Sequence, residues 1–196
     1  MKLFKILWFI FSFFIFTIPL SYAEERKINK YKDWEVSKLD NLIIYRTNGN
    51  IVHGHSFGWI KRVGQCSHDN LYLTYSSSHQ DKDILEKLKN NKVPLKLVFP
   101  DADDISLNMK PPIISVNDLG SMKIITLTNV RQDILLNTYM EDLHLLEMII
   151  QKPYASLFDI TKESWSLDGY IAAKLKAREL CESETSKRSA IVALGY

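Results

Sequence analysis

Apolar residues recur along the chain in short runs set off by Gly, Pro, Asn and Asp. Trp34-Glu35-Val36 opens one strand and residues 42–46 form the next. Leu71-Tyr72-Leu73-Thr74-Tyr75 is rich in residues that favour a pleated surface. Further strands are expected at 93–99, 105–109, 113–116, 122–128 and 156–160. Asn48-Gly49, between Ile43-Ile44-Tyr45 and Ile51-Val52, predicts a hairpin with a type I′ turn. The strand that follows, within 51–60, carries Gly54 and Gly58 and is expected to bend or bulge. Ser76-Ser77-Ser78 reads as a loop capping a short amphipathic helix over 81–90, with Ile84, Leu85 and Leu88 on one face. Residues 131–152 fit a helix by spacing, although 145–150 fits a strand as well. The last helix is expected over 170–182. No βαβ rhythm, internal repeat or low-complexity tract is present. The pattern predicts a mainly β domain with peripheral helices, an antiparallel sandwich or curled sheet closed by a C-terminal helix.

One apolar run departs from this pattern. Lys2 and Lys5 precede an apolar stretch over 6–20, and Ser21-Tyr22-Ala23 places small residues at −3 and −1 of a cleavage point before Glu24. This is the grammar of a secretory signal. The stretch is short of the roughly 20 apolar residues that span a bilayer. With no Cys near residue 23, a lipoprotein anchor is not expected. The expected organisation is a signal peptide over 1–23, a flexible leader over 24–32, a single domain over 33–182 and a frayed tail over 183–196. The working chain would then be periplasmic or secreted, with no membrane span.

Removing residues 1–23 changes the charge. Lys2 and Lys5 leave, and 23 basic side chains then face 23 acidic ones. A neutral chain without a basic stripe gives no reason to expect nucleic acid as a partner. Export also changes the meaning of Cys66 and Cys181, the only cysteines. In an oxidising compartment their default state is a disulfide, with free thiols or an intermolecular bridge as alternatives. Ala173, Ala177 and Cys181 recur at helical spacing, so the bridge would fix a small-residue helix face against the sheet.

Three constellations could carry chemistry. Gly54-His55-Ser56-Phe57-Gly58 satisfies G-x-S-x-G, the nucleophile elbow of α/β-hydrolases. Ser56 with a histidine such as His144 would then form a catalytic pair. The context opposes this, because only two apolar residues, Ile51 and Val52, lie between the Asn-Gly turn and the motif, and a strand pattern follows it. His53 and His55 share a strand face by spacing, and with His68 or His79 could hold zinc or copper. No further ligand stands at short fixed spacing, so these are weak metal candidates. Asp101, Asp103 and Asp104 lack the Gly and Glu that complete a calcium loop and read as a polar hairpin tip. Trp34, Trp59 and Trp165 default to core packing. An exposed ring would instead mark a binding face.

Several short motifs together resemble the invasion-associated locus B family of exported Gram-negative proteins. They are Asp33-Trp34-Glu35-Val36, Cys66 ahead of Leu71-Tyr72-Leu73, Val93-Pro94-Leu95-Lys96-Leu97-Val98-Phe99, and Trp165-Ser166-Leu167-Asp168-Gly169 with Ala172 and Ala173 before Cys181. The resemblance implies a small β-rich periplasmic protein without catalytic residues. Ser37 and Lys38 stand where that family carries a Cys after its first Trp. The expected function is a non-enzymatic envelope module that binds a protein, glycan or lipid, with no cofactor. The alternative is an exported hydrolase using Ser56.

Overall fold

The computed structural model describes residues 28–78, 89–102, 105–119, 122–131 and 134–193. Seven strands form one antiparallel sheet. Its first five are β1 (Ile28–Tyr31), β2 (Trp34–Leu39), β3 (Leu42–Asn48), β4 (Ser56–Arg62) and β5 (Gln65–Ser77), laid side by side in chain order. β9 (Lys123–Arg131) pairs with β5, and β8 (Ile113–Asp118) forms the far edge. A second sheet has the order β11 (Lys162–Ser166), β10 (Leu145–Ile150), β6 (Leu95–Val98), β7 (Ser106–Met109), again antiparallel throughout. Helix α1 (Ile134–Asp142) joins β9 to β10, and helix α2 (Tyr170–Ala193) closes the described chain. The two sheets do not close into a barrel. The expected β-rich fold with a C-terminal helix is therefore observed. Among the described residues, no helix is long and apolar enough to cross a membrane.

Side-chain alternation explains the packing. Trp34, Val36, Ile43, Tyr45, Phe57, Trp59, Leu71, Leu73 and Tyr75 occupy one face of the large sheet, and all are buried. α2 and the small sheet share this face. Tyr170 of α2 lies 5.0 Å from Trp34, and Trp165 of β11 lies 5.4 Å from Phe57, centroid to centroid. Ala173, Ala177 and Cys181 are fully buried along the contact face of α2, as their spacing predicts. The Cys66–Cys181 disulfide is formed, with Cα atoms 5.6 Å apart.

Several local expectations are corrected. Residues 28–31 of the expected leader form β1, an edge strand, where charged residues are tolerated because one side is free. The Asn48-Gly49 turn is not a two-residue type I′ turn. β3 and β4 do form a hairpin, but residues 49–55 connect them, and the Gly49 N–H donates to the His55 carbonyl at 2.8 Å. β4 does not bend at Gly58, which stays paired with Arg46 and Tyr72. A Cβ there would sit 2.2 Å from the Tyr45 carbonyl oxygen, so only glycine admits β3 this closely. Ser76 and Ser77 continue β5 rather than forming a loop. Residues 154–157 form a 3-10 turn, and the strand expected at 156–160 lies instead at 162–166. The ambiguous segment is both things in turn: a helix over 134–142, then a strand over 145–150. α2 continues past residue 182, with Lys187–Glu184 paired at 2.6 Å and the Ser186 and Ser189 hydroxyls bonded to carbonyls one turn back. The helix expected at 81–90 falls almost wholly outside the described residues.

Candidate functional site

The G-x-S-x-G segment supplies a histidine, not a serine, to a buried polar cluster. Gly54, at φ +120°, turns the chain so that His55 enters the interior, where it is 1% exposed. Ser56 points to the opposite face as the first residue of β4. Its hydroxyl is 3.5 Å from Arg46 Nη1, and its N–H donates to Thr74 Oγ1. A nucleophile elbow needs a turn between a parallel strand and a helix, and here the strand is antiparallel on both sides. His144, at the start of β10, is at the surface and bonds Asp168 Oδ1 at 3.0 Å. Ser56 and His144 are thus not brought together.

His55 stands at a gap in the β ladder. β4 ends its pairing with β5 at Ser56 and Thr74, so the β5 backbone beyond that point lacks a strand neighbour on this side. The His55 ring takes over. The Ser76 N–H donates to Nε2 at 3.0 Å, and Ser76 Oγ lies 2.8 Å from the same nitrogen. Nε2 therefore carries a lone pair, and the proton resides on Nδ1, which donates to Glu163 Oε2 at 3.0 Å. Tyr75 packs against the imidazole at 4.7 Å, centroid to centroid.

Glu163 is fully buried on the inner face of β11, two residues before Trp165. Taking a carboxylate out of water costs several kcal/mol unless it is well satisfied. Here it accepts the Ile51 N–H at 2.8 Å, the Val52 N–H at 2.9 Å, the Ser164 N–H at 2.9 Å and His55 Nδ1. This set ties the 49–55 connection of the large sheet to an edge strand of the small one. Burial holds the His55 imidazole below its ordinary pKa, against the opposing pull of Glu163 and Asp159. The ring is neutral at neutral pH.

A polar cleft of about 430 Å³ adjoins the cluster, lined by Ser77, Ser78, Ser156, Leu157, Phe158 and Asp159. Asp159 accepts the Ser78 N–H at 2.6 Å and is also hydrogen-bonded by the Ser76 side chain. Those bonds hold its carboxyl below the usual range, against the desolvation that would raise it.

The remaining candidates have plainer places. His53 is exposed while His55 is buried, so the two do not share a face; the chain turns between them at Gly54. His68 is exposed and contacts the neighbouring Ser67, and His79 lies outside the described residues. Among the described residues, no group of three or more His, Cys, Asp or Glu side chains is placed to hold a metal ion. Asp101 accepts the His144 and Leu145 N–H groups at 3.0 and 2.9 Å and so caps β10. Asp103 and Asp104 lie outside the described residues. Trp34, Trp59 and Trp165 are all buried, so none forms an exposed binding face. Sequence reading missed Ser76 and Glu163. Glu163 had one available signal: it shares a strand face with Trp165, a charge at an inward position.

No protein-family model, curated protein or solved structure matches the chain.

Proposed function

We propose that the protein is exported and works in the periplasm or outside the cell as an interaction module of the envelope, binding a protein, glycan or lipid. The observation that carries this reading is the Cys66–Cys181 disulfide. Such bridges form and persist where the surroundings are oxidising. The signal-like segment over 1–23 and the neutral charge of the remainder agree with it. So does the likeness of its short motifs to the invasion-associated locus B family. A binding role is further supported by the edge strand β8, whose hairpin with β9 presents Ile114, Leu119 and Met122 to solvent. A sheet-edge strand that carries exposed apolar side chains can take up a segment of another protein.

The test is expression of the full chain in a Gram-negative host. The protein is expected in the periplasmic or extracellular fraction, beginning at Glu24, with no thiol open to alkylation before reduction. An uncleaved chain with two alkylatable thiols in the cytosol overturns the reading. Partner capture by the mature form from envelope extract, weakened by Leu119→Lys or Ile114→Lys, tests the binding role.

A further inference from the structure

We propose that Lys61 and Asp69 condense into an amide, a covalent cross-link between β4 and β5 that forms in the folded chain. This goes beyond the interaction role and does not depend on it. Lys61 follows Phe57 and Trp59 on the inner face of β4, and Asp69 precedes Leu71 and Leu73 on the inner face of β5. The ladder between them is irregular. Ile60 pairs with Asn70 but Arg62 with Gln65, so residues 66–69 of β5 stand opposite Lys61 alone. The Lys61 side chain reaches into this bulge. Its Nζ lies 2.8 Å from Asp69 Oδ1 and donates to the Cys66 carbonyl at 3.0 Å. Both side chains are closed to water, at 5% and 3% exposure.

The polar groups around the pair fit an amide better than two ions. A buried ammonium has three N–H donors to satisfy, and a carboxylate about four lone-pair sites. Among the described residues the ammonium finds one hydrogen-bond acceptor, the Cys66 carbonyl. Asp69 Oδ1 has no hydrogen-bond partner there, the 2.8 Å contact being outside hydrogen-bond geometry. The hydroxyl of Tyr45, beside Asp69 and Tyr170, is also buried without a partner. Tyr170 is committed to Asn137 Oδ1 at 2.8 Å. Ions taken out of water with so few bonds are costly. A secondary amide has a single N–H, which Cys66 accepts, and a single carbonyl oxygen, which the Tyr45 hydroxyl can serve. Burial, Tyr170 and Asp69 hold Tyr45 well above its ordinary pKa, so the hydroxyl keeps the proton it donates.

The step balances without an oxidant or a cofactor. Nζ passes one proton to the carboxylate, leaving an amine beside an acid. The amine lone pair bonds to Asp69 Cγ, and Tyr45 supports the oxygen that gains charge. The bond from Cγ to the protonated oxygen then breaks, and that oxygen leaves with a second Nζ proton as water. One ammonium and one carboxylate yield one amide and one water. The fold holds the two groups together, which replaces a chance encounter, and exclusion of water opposes hydrolysis. The cross-link pins the bulge that carries Cys66, whose sulfur bridges to α2. It therefore holds β4 to β5 even when the disulfide is reduced.

The experiment takes the folded full chain, reduces and denatures it, and measures its intact mass, with its proteolytic peptides mapped by tandem mass spectrometry. The unaltered chain is expected to be one water lighter than the sequence from its observed N-terminus. A branched peptide should join Lys61 to Asp69. Lys61→Arg and Asp69→Ala should each restore the full mass. A cyclised Asp69–Asn70 backbone also loses one water, but it leaves Lys61 open to acylation and persists in Lys61→Arg. The branched peptide is read in the unaltered chain, so the result stands where a variant fails to fold. A folded chain of full mass overturns the proposal. So does a mass deficit that Lys61→Arg retains.

Discussion

Glu163 Oε2 lies 3.0 Å from His55 Nδ1, with both side chains closed to solvent and a sequence separation of 108. The contact joins the two sheets, since His55 belongs to the β3–β4 connection and Glu163 to β11. A lone carboxylate could not be left in this position. Its four donors make it stable there, and it in turn orders the backbone at Ile51 and Val52. The same pair explains Gly49, where a Cβ would come within 2.7 Å of the Glu163 carboxylate.

Glu163→Ala should therefore be among the most damaging single changes in the molecule. It strands three backbone N–H groups and the imidazole proton in the interior. Removal of one partner from a buried charged network typically costs about 3–5 kcal/mol. Urea unfolding followed by tryptophan fluorescence measures this directly. A loss below about 1 kcal/mol would mean that water replaces the carboxylate without strain.

Ser56→Ala should do little. The hydroxyl is 3.5 Å from Arg46 Nη1 and bonds no histidine among the described residues. A loss under about 1 kcal/mol in urea unfolding is expected. A loss above about 2 kcal/mol would show that the hydroxyl does more than its 3.5 Å contact with Arg46.

What could be read from the sequence follows the range of the interactions that decide each feature. Ala173, Ala177 and Cys181 were legible because helical spacing is local, and the bridge to Cys66 followed from the compartment. Most strands were legible by alternation. Residues 162–166 were not, because Lys, Ser and Ser face outward around an inward Glu163 that looks like one more polar residue. Nothing near it in the chain reveals its donors, which arrive from residues 51, 52 and 55. The Asn48-Gly49 turn failed for the same reason: the glycine serves the Glu163 carboxylate rather than a tight turn. His55 was noticed for its spacing to His53, yet its role is set by Ser76 and Glu163, which only the assembled sheets bring near.

Reduction of Cys66–Cys181, or its replacement by Cys66→Ala with Cys181→Ala, should lower stability by about 4–5 kcal/mol. The bridge spans a sequence separation of 115, and a long closed loop removes much entropy from the unfolded chain. The urea midpoint with and without reductant measures it. The fully buried Cys181 side chain adds a packing loss that Cys66 does not share. Cys181→Ala is therefore expected to be more damaging than Cys66→Ala.

Two left-handed glycines separate backbone strain from crowding. Gly64 and Gly169 have φ of +91° and +96°. An added Cβ meets nothing within 4 Å at Gly64, but lies 2.0 Å from the Tyr31 carbonyl oxygen at Gly169. Both alanine variants carry the cost of a left-handed side chain, about 1 kcal/mol. Gly169→Ala must also push β1 away from the start of α2, at a further cost of about 2 kcal/mol. Thermal melts of the two variants should differ accordingly, and equal melting temperatures would show that β1 moves aside freely.

Stability should fall as pH drops below the ordinary histidine range, and His55 should be a principal cause. Burial lowers its pKa in the fold, so the folded state prefers the neutral ring. The unfolded chain takes up its proton near pH 6.5. Above that value both states are neutral and the full contribution is present. As pH falls, the unfolded state binds a proton that the folded one refuses, and stability is lost until the lower folded value is reached. Protonation also removes the Nε2 lone pair that receives the Ser76 N–H, so the loss should be felt first at the end of β5 and in residues 49–55. Glu163 and Asp159 face the ring and temper the effect without reversing it. Glu184 acts in a separate window, because Lys187 and Lys38 hold its pKa down to about 2 and its contribution is lost only below the ordinary carboxylate range. Urea midpoints measured across these two windows should show two declines, the upper one absent in His55→Gln. An unchanged upper decline in that variant would assign it to other groups.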